Sequence, residues 1–210
     1  MNRRHLIRTS IGCLIMAPIL AAALWFLYRP WALSWGSTPE EIARPMPGDE
    51  VLDQPTFNAT RAVTVKATPE EIWPWIVQIG YRRAGFYSYD LLDNDGIASS
   101  ERILTEYQNL YVGDLIPLSN TTNVRVAELK PHRLLVLVFE VEGTWSNATW
   151  VWGLYPEDAS QTRLVTRLRA DARGIGPRHF LDLGEIILMR KCMLGIKRRA
   201  ERGRKTEVQQ

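Results

Sequence analysis

Ala67-Thr68-Pro69-Glu70-Glu71-Ile72-Trp73 is the stretch on which the reading of this chain turns. Thr68 can cap a helix, Pro69 suits the first helical position, and Glu71 completes a capping box. The helix that follows puts Ile72, Trp75, Ile76 and Ile79 on one stripe. Pro74 should bend or shorten it and Gly80 should end it. Just upstream, residues 58–66 read as a strand, from the alternation around Val63, Thr64 and Val65. A strand running straight into a capped amphipathic helix marks the start of a mixed domain.

Downstream, a loop rich in Gly, Asp and Ser leads to a second predicted helix over 99–110. The period then changes to two. Strands are expected over 111–117, 123–129, 133–141, 147–155 and 163–172, separated by short turn-like stretches, as in an antiparallel meander. In the last, Leu164, Thr166, Leu168 and Ala170 face one way and Arg163, Arg167 and Arg169 the other. Trp150, Trp152 and Leu154 likewise share a face. A long helix over 180–202, apolar first and basic later, closes the chain. The order strand, two helices, five strands, long helix predicts an α+β fold in which a curved antiparallel sheet wraps a terminal helix. A straight helix cannot touch a strongly curved sheet everywhere, so this layout leaves room for a cavity.

The N-terminal part reads differently. Between Arg8 and Arg29 lie 20 uncharged residues, 9–28. As a helix rising about 1.5 Å per residue they match a bilayer's hydrocarbon core of roughly 30 Å. Trp25, Tyr28, Trp31 and Trp35 gather at the far end, where amphipathic rings favour the headgroup level. Residues 1–8 form a basic flank. A cleaved signal peptide is the alternative, with Ala21-Ala22-Ala23 as a cleavage region, but the apolar run continues through Leu24-Trp25-Phe26-Leu27. Arg3, Arg4 and Arg8 before the segment, against Arg29 after it, place the N-terminus in the cytoplasm and the rest of the chain outside it, at the cell membrane. Residues 29–56 hold five prolines and no sustained period. They read as a linker, or as a clamp laid over a domain at 57–203, with 204–210 a polar tail.

Several stretches resemble the SRPBCC (START/Bet v 1-like, helix-grip) superfamily, and more closely a bacterial subgroup that often carries an N-terminal membrane segment. They are Pro47-Gly48-Asp49-Glu50, the run Trp73 to Gly80, the run Arg83 to Asp90, Val112-Gly113-Asp114, and Lys191-Cys192-Met193-Leu194-Gly195-Ile196-Lys197. The resemblance implies the helix-grip fold with a hydrophobic ligand cavity over residues 45–200. It supplies no catalytic motif. Fold alone does not decide activity.

Aromatic residues suit a cavity for a flat or ring-containing apolar ligand. The residues expected to line it are Trp75, Ile79, Tyr87, Phe139, Trp150 and Trp152, with core packing the competing role for each. The run Asp90 to Gly96 suggests calcium, but an EF-hand register would place Leu91 and Arg102 at ligand positions, and neither can serve. The acids Asp90, Asp93, Asp95, Glu101 and Glu106 read as solvated loop residues. His179 is the one histidine expected near a cavity mouth. No catalytic residue, metal site or cofactor is expected. Cys13 and Cys192 lie in unrelated segments and do not suggest a disulfide. Eight Lys or Arg residues between Arg190 and Lys205 offer a surface for anionic lipid, or simply a solvated helix end; without interleaved aromatics they do not form a nucleic-acid platform. The expected function is membrane-anchored binding of an apolar small molecule, lipid or isoprenoid-like. The alternatives are a cyclase- or hydrolase-type enzyme using the same cavity, and a scaffold whose interior is filled.

Overall fold

The computed structural model describes residues 24–141, 144–172 and 180–207. Six strands form one antiparallel sheet in the order β1-β6-β5-β4-β3-β2: β1 (Phe57–Val65), β2 (Leu115–Pro117), β3 (Asn123–Lys130), β4 (Leu134–Val141), β5 (Thr144–Pro156) and β6 (Thr162–Ala170). Five helices accompany it: α1 (24–34), α2 (Pro39–Ala43), α3 (Pro69–Val77), α4 (Asp90–Asp93) and α5 (Glu185–Glu207). A single π-helical turn, Phe180–Gly184, leads into α5. This is a mixed α+β fold consistent with the helix-grip arrangement.

The sequence explains both faces of the sheet. On the inner face Leu135, Leu137, Trp150, Trp152, Leu164 and Leu168 join Met189, Cys192, Met193, Ile196 and Ala200 of α5 in one apolar core. Between them in each strand stand Leu134, Val136, Val151 and Val165, which form a second, outer cluster with Ala62 and Met46. β4 is therefore apolar at nearly every position because it is covered on both sides. Register shifts between Val126 and Glu128, and between Val138 and Glu140, interrupt the ladder. Such bulges bend a strand and increase its twist.

The outer cover is the segment read as linker or clamp. Its helix α2 begins with Thr38-Pro39-Glu40-Glu41-Ile42, the same pentapeptide that opens α3 at Thr68, and both carry complete capping boxes. In α2 the capping glutamate has a second task, since Arg163 binds both Glu41 oxygens at 2.8 Å. Arg167, only 3% exposed, uses all five of its donors. It donates to Thr60 Oγ1, to the carbonyls of Glu41, Ile42 and Arg44, and to Asp49 Oδ2 at 2.6 Å. Arg169 reaches the carbonyls of Asp49 and Leu52. The arginines of β6 thus stitch residues 38–52 across the sheet instead of facing water.

Three local expectations change. The helix predicted over 99–110 is absent; only the 3-10 turn Thr105–Tyr107 forms there. The side chain of Gln78, fully buried, takes over its backbone groups: Oε1 accepts from Leu104 N at 2.9 Å and Nε2 donates to Arg102 O at 3.2 Å. The strand predicted over 111–117 shortens to Leu115–Pro117, because 111–114 is a turn closed by Asp114 N to Tyr111 O, with Asp114 Oδ2 accepting from Tyr111 N at 2.8 Å. The terminal helix starts later, at Glu185, after the π turn, and runs on to Glu207. No helix among the described residues is long and apolar enough to cross a membrane. Apart from 24–28, the segment expected to do so lies outside the described residues, as do the flank 1–8, His179 and Cys13.

Candidate functional site

α5 packs tightly on the sheet at its C-terminal half and leaves a gap at its N-terminal half. The tight end is set by Gly195: a Cβ there would sit 2.4 Å from the carbonyl oxygen of Tyr87, so only glycine lets helix and loop approach so closely. Tyr87 is held from every side. Its hydroxyl donates to Trp75 O and accepts from Gln78 Nε2 at 2.8 Å, its amide donates to Ser99 Oγ, and the Arg199 guanidinium lies 4.5 Å above its ring.

At the open end lies a cavity of about 620 Å³. Its sheet wall is Phe139, Trp150 and Leu168, neighbours on β4, β5 and β6, and Trp150 stands opposite both Leu137 and Leu168 in the ladders. Leu188, Met189 and Cys192 of α5 form the second wall, and Phe86, Ser88, Leu92 and Asp93 the third. The volume falls within the roughly 300–1,000 Å³ typical of small-molecule sites. At about 30 Å³ per water-sized unit it admits on the order of twenty non-hydrogen atoms.

Of the residues expected to line a cavity, the structure places Phe139 and Trp150 around this one. Trp75, Ile79, Tyr87 and Trp152 lie away from it, buried in the core. The physical reason is visible at Tyr87 and Trp75, which pair edge-to-face at 6.0 Å and share a hydrogen bond. Trp152 is 1% exposed and packs on Trp150, whose indole N–H is satisfied by Thr166 Oγ1 at 3.0 Å.

The polar lining is sparse, and sequence reading missed it. Glu185 lies at the cavity wall, held by Arg61 of β1 at 2.6 and 2.8 Å; burial nonetheless raises its carboxyl above the usual range. Burial likewise raises the Cys192 thiol. Ser88 donates its hydroxyl to Leu188 O at 3.1 Å. Asp93 differs from these. Its Oδ1 is shut off from solvent and has no hydrogen-bond partner among the described residues. Burial, then the charge of Asp90, push its carboxyl up to about 6, opposed by Ser88 and a backbone amide. Nothing in the sequence separates Asp93 from Asp95, which is exposed and paired with Tyr81 and Arg82. No group of three or more His, Cys, Asp or Glu side chains placed to hold a metal ion occurs among the described residues.

The basic end of α5 is partly used internally. Lys197 binds Thr64 O and Glu201, while Glu101 gathers Arg198, Arg199 and Arg202.

No protein-family model and no curated protein matches the chain. Among solved structures it is similar to a conserved protein of unknown function from Enterococcus faecalis, at 15% identity and TM-score 0.47, over 70% of this chain and 74% of that one. It is also similar to a Polyketide_cyc-like protein from Corynebacterium glutamicum, at 16% identity and TM-score 0.36, over 67% and 89%. A third is the Aha1 dimer protein from Colwellia psychrerythraea, at 11% and 0.39, over 68% and 97%. What identifies the fold is this chain's own sheet order and the helix laid across it.

Proposed function

We propose that this chain binds an apolar small molecule, lipid or isoprenoid-like, in the cavity between the open end of α5 and the sheet, and that residues 9–28 keep it at a membrane. The observation that carries the reading is the cavity itself, about 620 Å³ walled mainly by Phe86, Phe139, Trp150, Leu168, Leu188 and Met189. An interior filled by its own side chains would leave no such space, so the scaffold reading is the weaker one. Its rim supports a bilayer as the ligand's source. Leu92, Phe180 and Ile187 line the cavity and yet are 71%, 54% and 55% exposed, with Leu91 and Leu183 exposed beside them. Contiguous apolar side chains left in water are characteristic of surfaces that meet lipid or ligand.

The reading is tested by native mass spectrometry of the full chain released from membranes without added ligand. An apolar molecule leaving with the protein, and displaced when Leu168→Trp narrows the cavity, is the expected result. Nothing bound, together with no uptake of an apolar dye, would overturn it.

A second reading, an enzyme of cyclase or hydrolase type, is favoured by one observation: an acid titrating near 6 in an apolar cavity is poised for proton transfer at neutral pH. Turnover of a bound ligand that stops in Asp93→Asn would establish it.

A further inference from the structure

We infer that Asp93 is the recognition group of this cavity, and that it selects an apolar molecule ending in a hydrogen-bond donor such as a hydroxyl. The inference rests on the cavity being the ligand site. It follows from what each polar side chain on the lining still has to offer. Glu185 has both oxygens against Arg61. The Ser88 hydroxyl is engaged by Leu188 O at 3.1 Å and by the Asp93 carboxyl. The Cys192 thiol stays protonated and is a weak hydrogen-bonding group. Asp93 has Ser88 and a backbone amide against its carboxyl, but its Oδ1 is an enclosed oxygen with no hydrogen-bond partner among the described residues. An ionised carboxylate only accepts hydrogen bonds, so the group that completes it must donate.

The surroundings reinforce the choice. The groups that act on Asp93 are Asp90 of its own helix and Ser88 of the preceding loop, and the Cys192 thiol on α5 feels its charge from across the cavity. A ligand ending in a carboxylate would add a further negative charge to this acidic corner, and one ending in an ether or ester would bring only another acceptor. Both leave the enclosed oxygen of this half-buried carboxyl unmatched, a penalty that discriminates more sharply than a missing apolar contact. An alcohol relieves it.

The test uses the full chain held in amphipol at pH 8, where Asp93 is ionised. 1-Dodecanol and dodecyl methyl ether share one apolar body and differ in the donor. Their affinities are read from tryptophan fluorescence, since Trp150 lines the cavity. The ratio of alcohol to ether affinity is compared between wild type and variants, which cancels the different solubilities of the two compounds. That ratio is expected to fall about tenfold in Asp93→Leu, the size of one charge-assisted hydrogen bond. Asp93→Asn keeps the shape and a neutral acceptor, and a fall of about threefold is expected, so the result does not hang on the leucine variant folding. A ratio unchanged in both variants, with both compounds bound, overturns the assignment of Asp93 and leaves the cavity standing. If wild type binds neither compound, the cavity reading fails and this inference fails with it.

Discussion

Arg167→Met should detach residues 38–52 from the sheet while leaving the inner core intact. In the folded chain the Arg167 guanidinium serves three backbone carbonyls, those of Glu41, Ile42 and Arg44, as well as Thr60 and Asp49. Methionine matches the buried stem and removes every donor. Were the segment to stay in place, three carbonyls would lose their partner at about 1–3 kcal/mol each. The segment has an escape, because lifting away lets water reach them. Lifting also withdraws Met46, 3% exposed, from the cluster of Val136, Val151 and Val165, at about 1.5–3 kcal/mol, and loosens Glu41 from Arg163. If the segment stays in place Asp49 is not stranded, since Arg169 still binds it at 3.0 Å. The smaller of the two routes, lifting away, sets the outcome at a loss of about 2–4 kcal/mol once the Glu41–Arg163 pair is included. Arg167→Lys should lose nearly as much, because three donors on one nitrogen cannot reach five acceptors arranged around a planar fork. Urea unfolding of the full chain gives the free energy. Amide exchange followed by mass spectrometry localises it, with protection lost across 38–52 and kept in β4 and β5. A loss below about 1 kcal/mol in Arg167→Met, with exchange across 38–52 unchanged, would refute the reasoning.

Three further outcomes follow from the same structure. Arg61→Leu, which strands the buried Glu185 carboxylate, should cost about 3–5 kcal/mol, and adding Glu185→Leu should recover most of it; a double variant no more stable than the single one in urea melts would contradict this. Gly195→Ala gains up to about 1 kcal/mol of helix propensity but drives a methyl against the Tyr87 carbonyl, for a net loss of about 1–2 kcal/mol in the same melts; a gain would show that the loop yields. Asp93 has a carboxyl raised from 3.8 to about 6, so the stability it contributes is complete below about pH 4 and is lost as pH rises through about 6. Halved for its partial exposure, that slope amounts to about 1–1.5 kcal/mol, and Asp93→Asn should abolish it in melts between pH 4 and 8.

Local signals in the sequence were good guides where local chemistry decides. The capping box at Thr68 and Glu71, the two-residue period of β3 to β6, and the apolar first half of the terminal helix all correspond to the structure. The identical pentapeptide at Thr38 carried the same signal, hidden by the prolines around it. Expectations failed where a distant side chain decides. The backbone of 99–110 carries a helix-like pattern, but Gln78 binds its groups more favourably than a helix turn would. Aromatic character alone does not separate Trp75, Tyr87 and Trp152, which are buried in the core, from Phe139 and Trp150, which stand around the cavity where α5 parts from the sheet. Gly195 fixes only how closely the helix meets the Tyr87 loop. Asp93 was illegible for a related reason: its solvent is defined by residues nearly a hundred positions away.

The join between α1 and the turn before α5 has a mechanical consequence. Tyr28 Oη donates to Leu183 O at 3.1 Å, and Arg29 Nε donates to Asp182 Oδ1 at 3.0 Å, while Arg190 covers the Trp35 ring. These bonds moor the first described helix to the lip formed by Phe180 and Leu181. Any displacement of that helix is thereby passed through Tyr28 and Arg29 to the turn before α5, and so to one edge of the cavity.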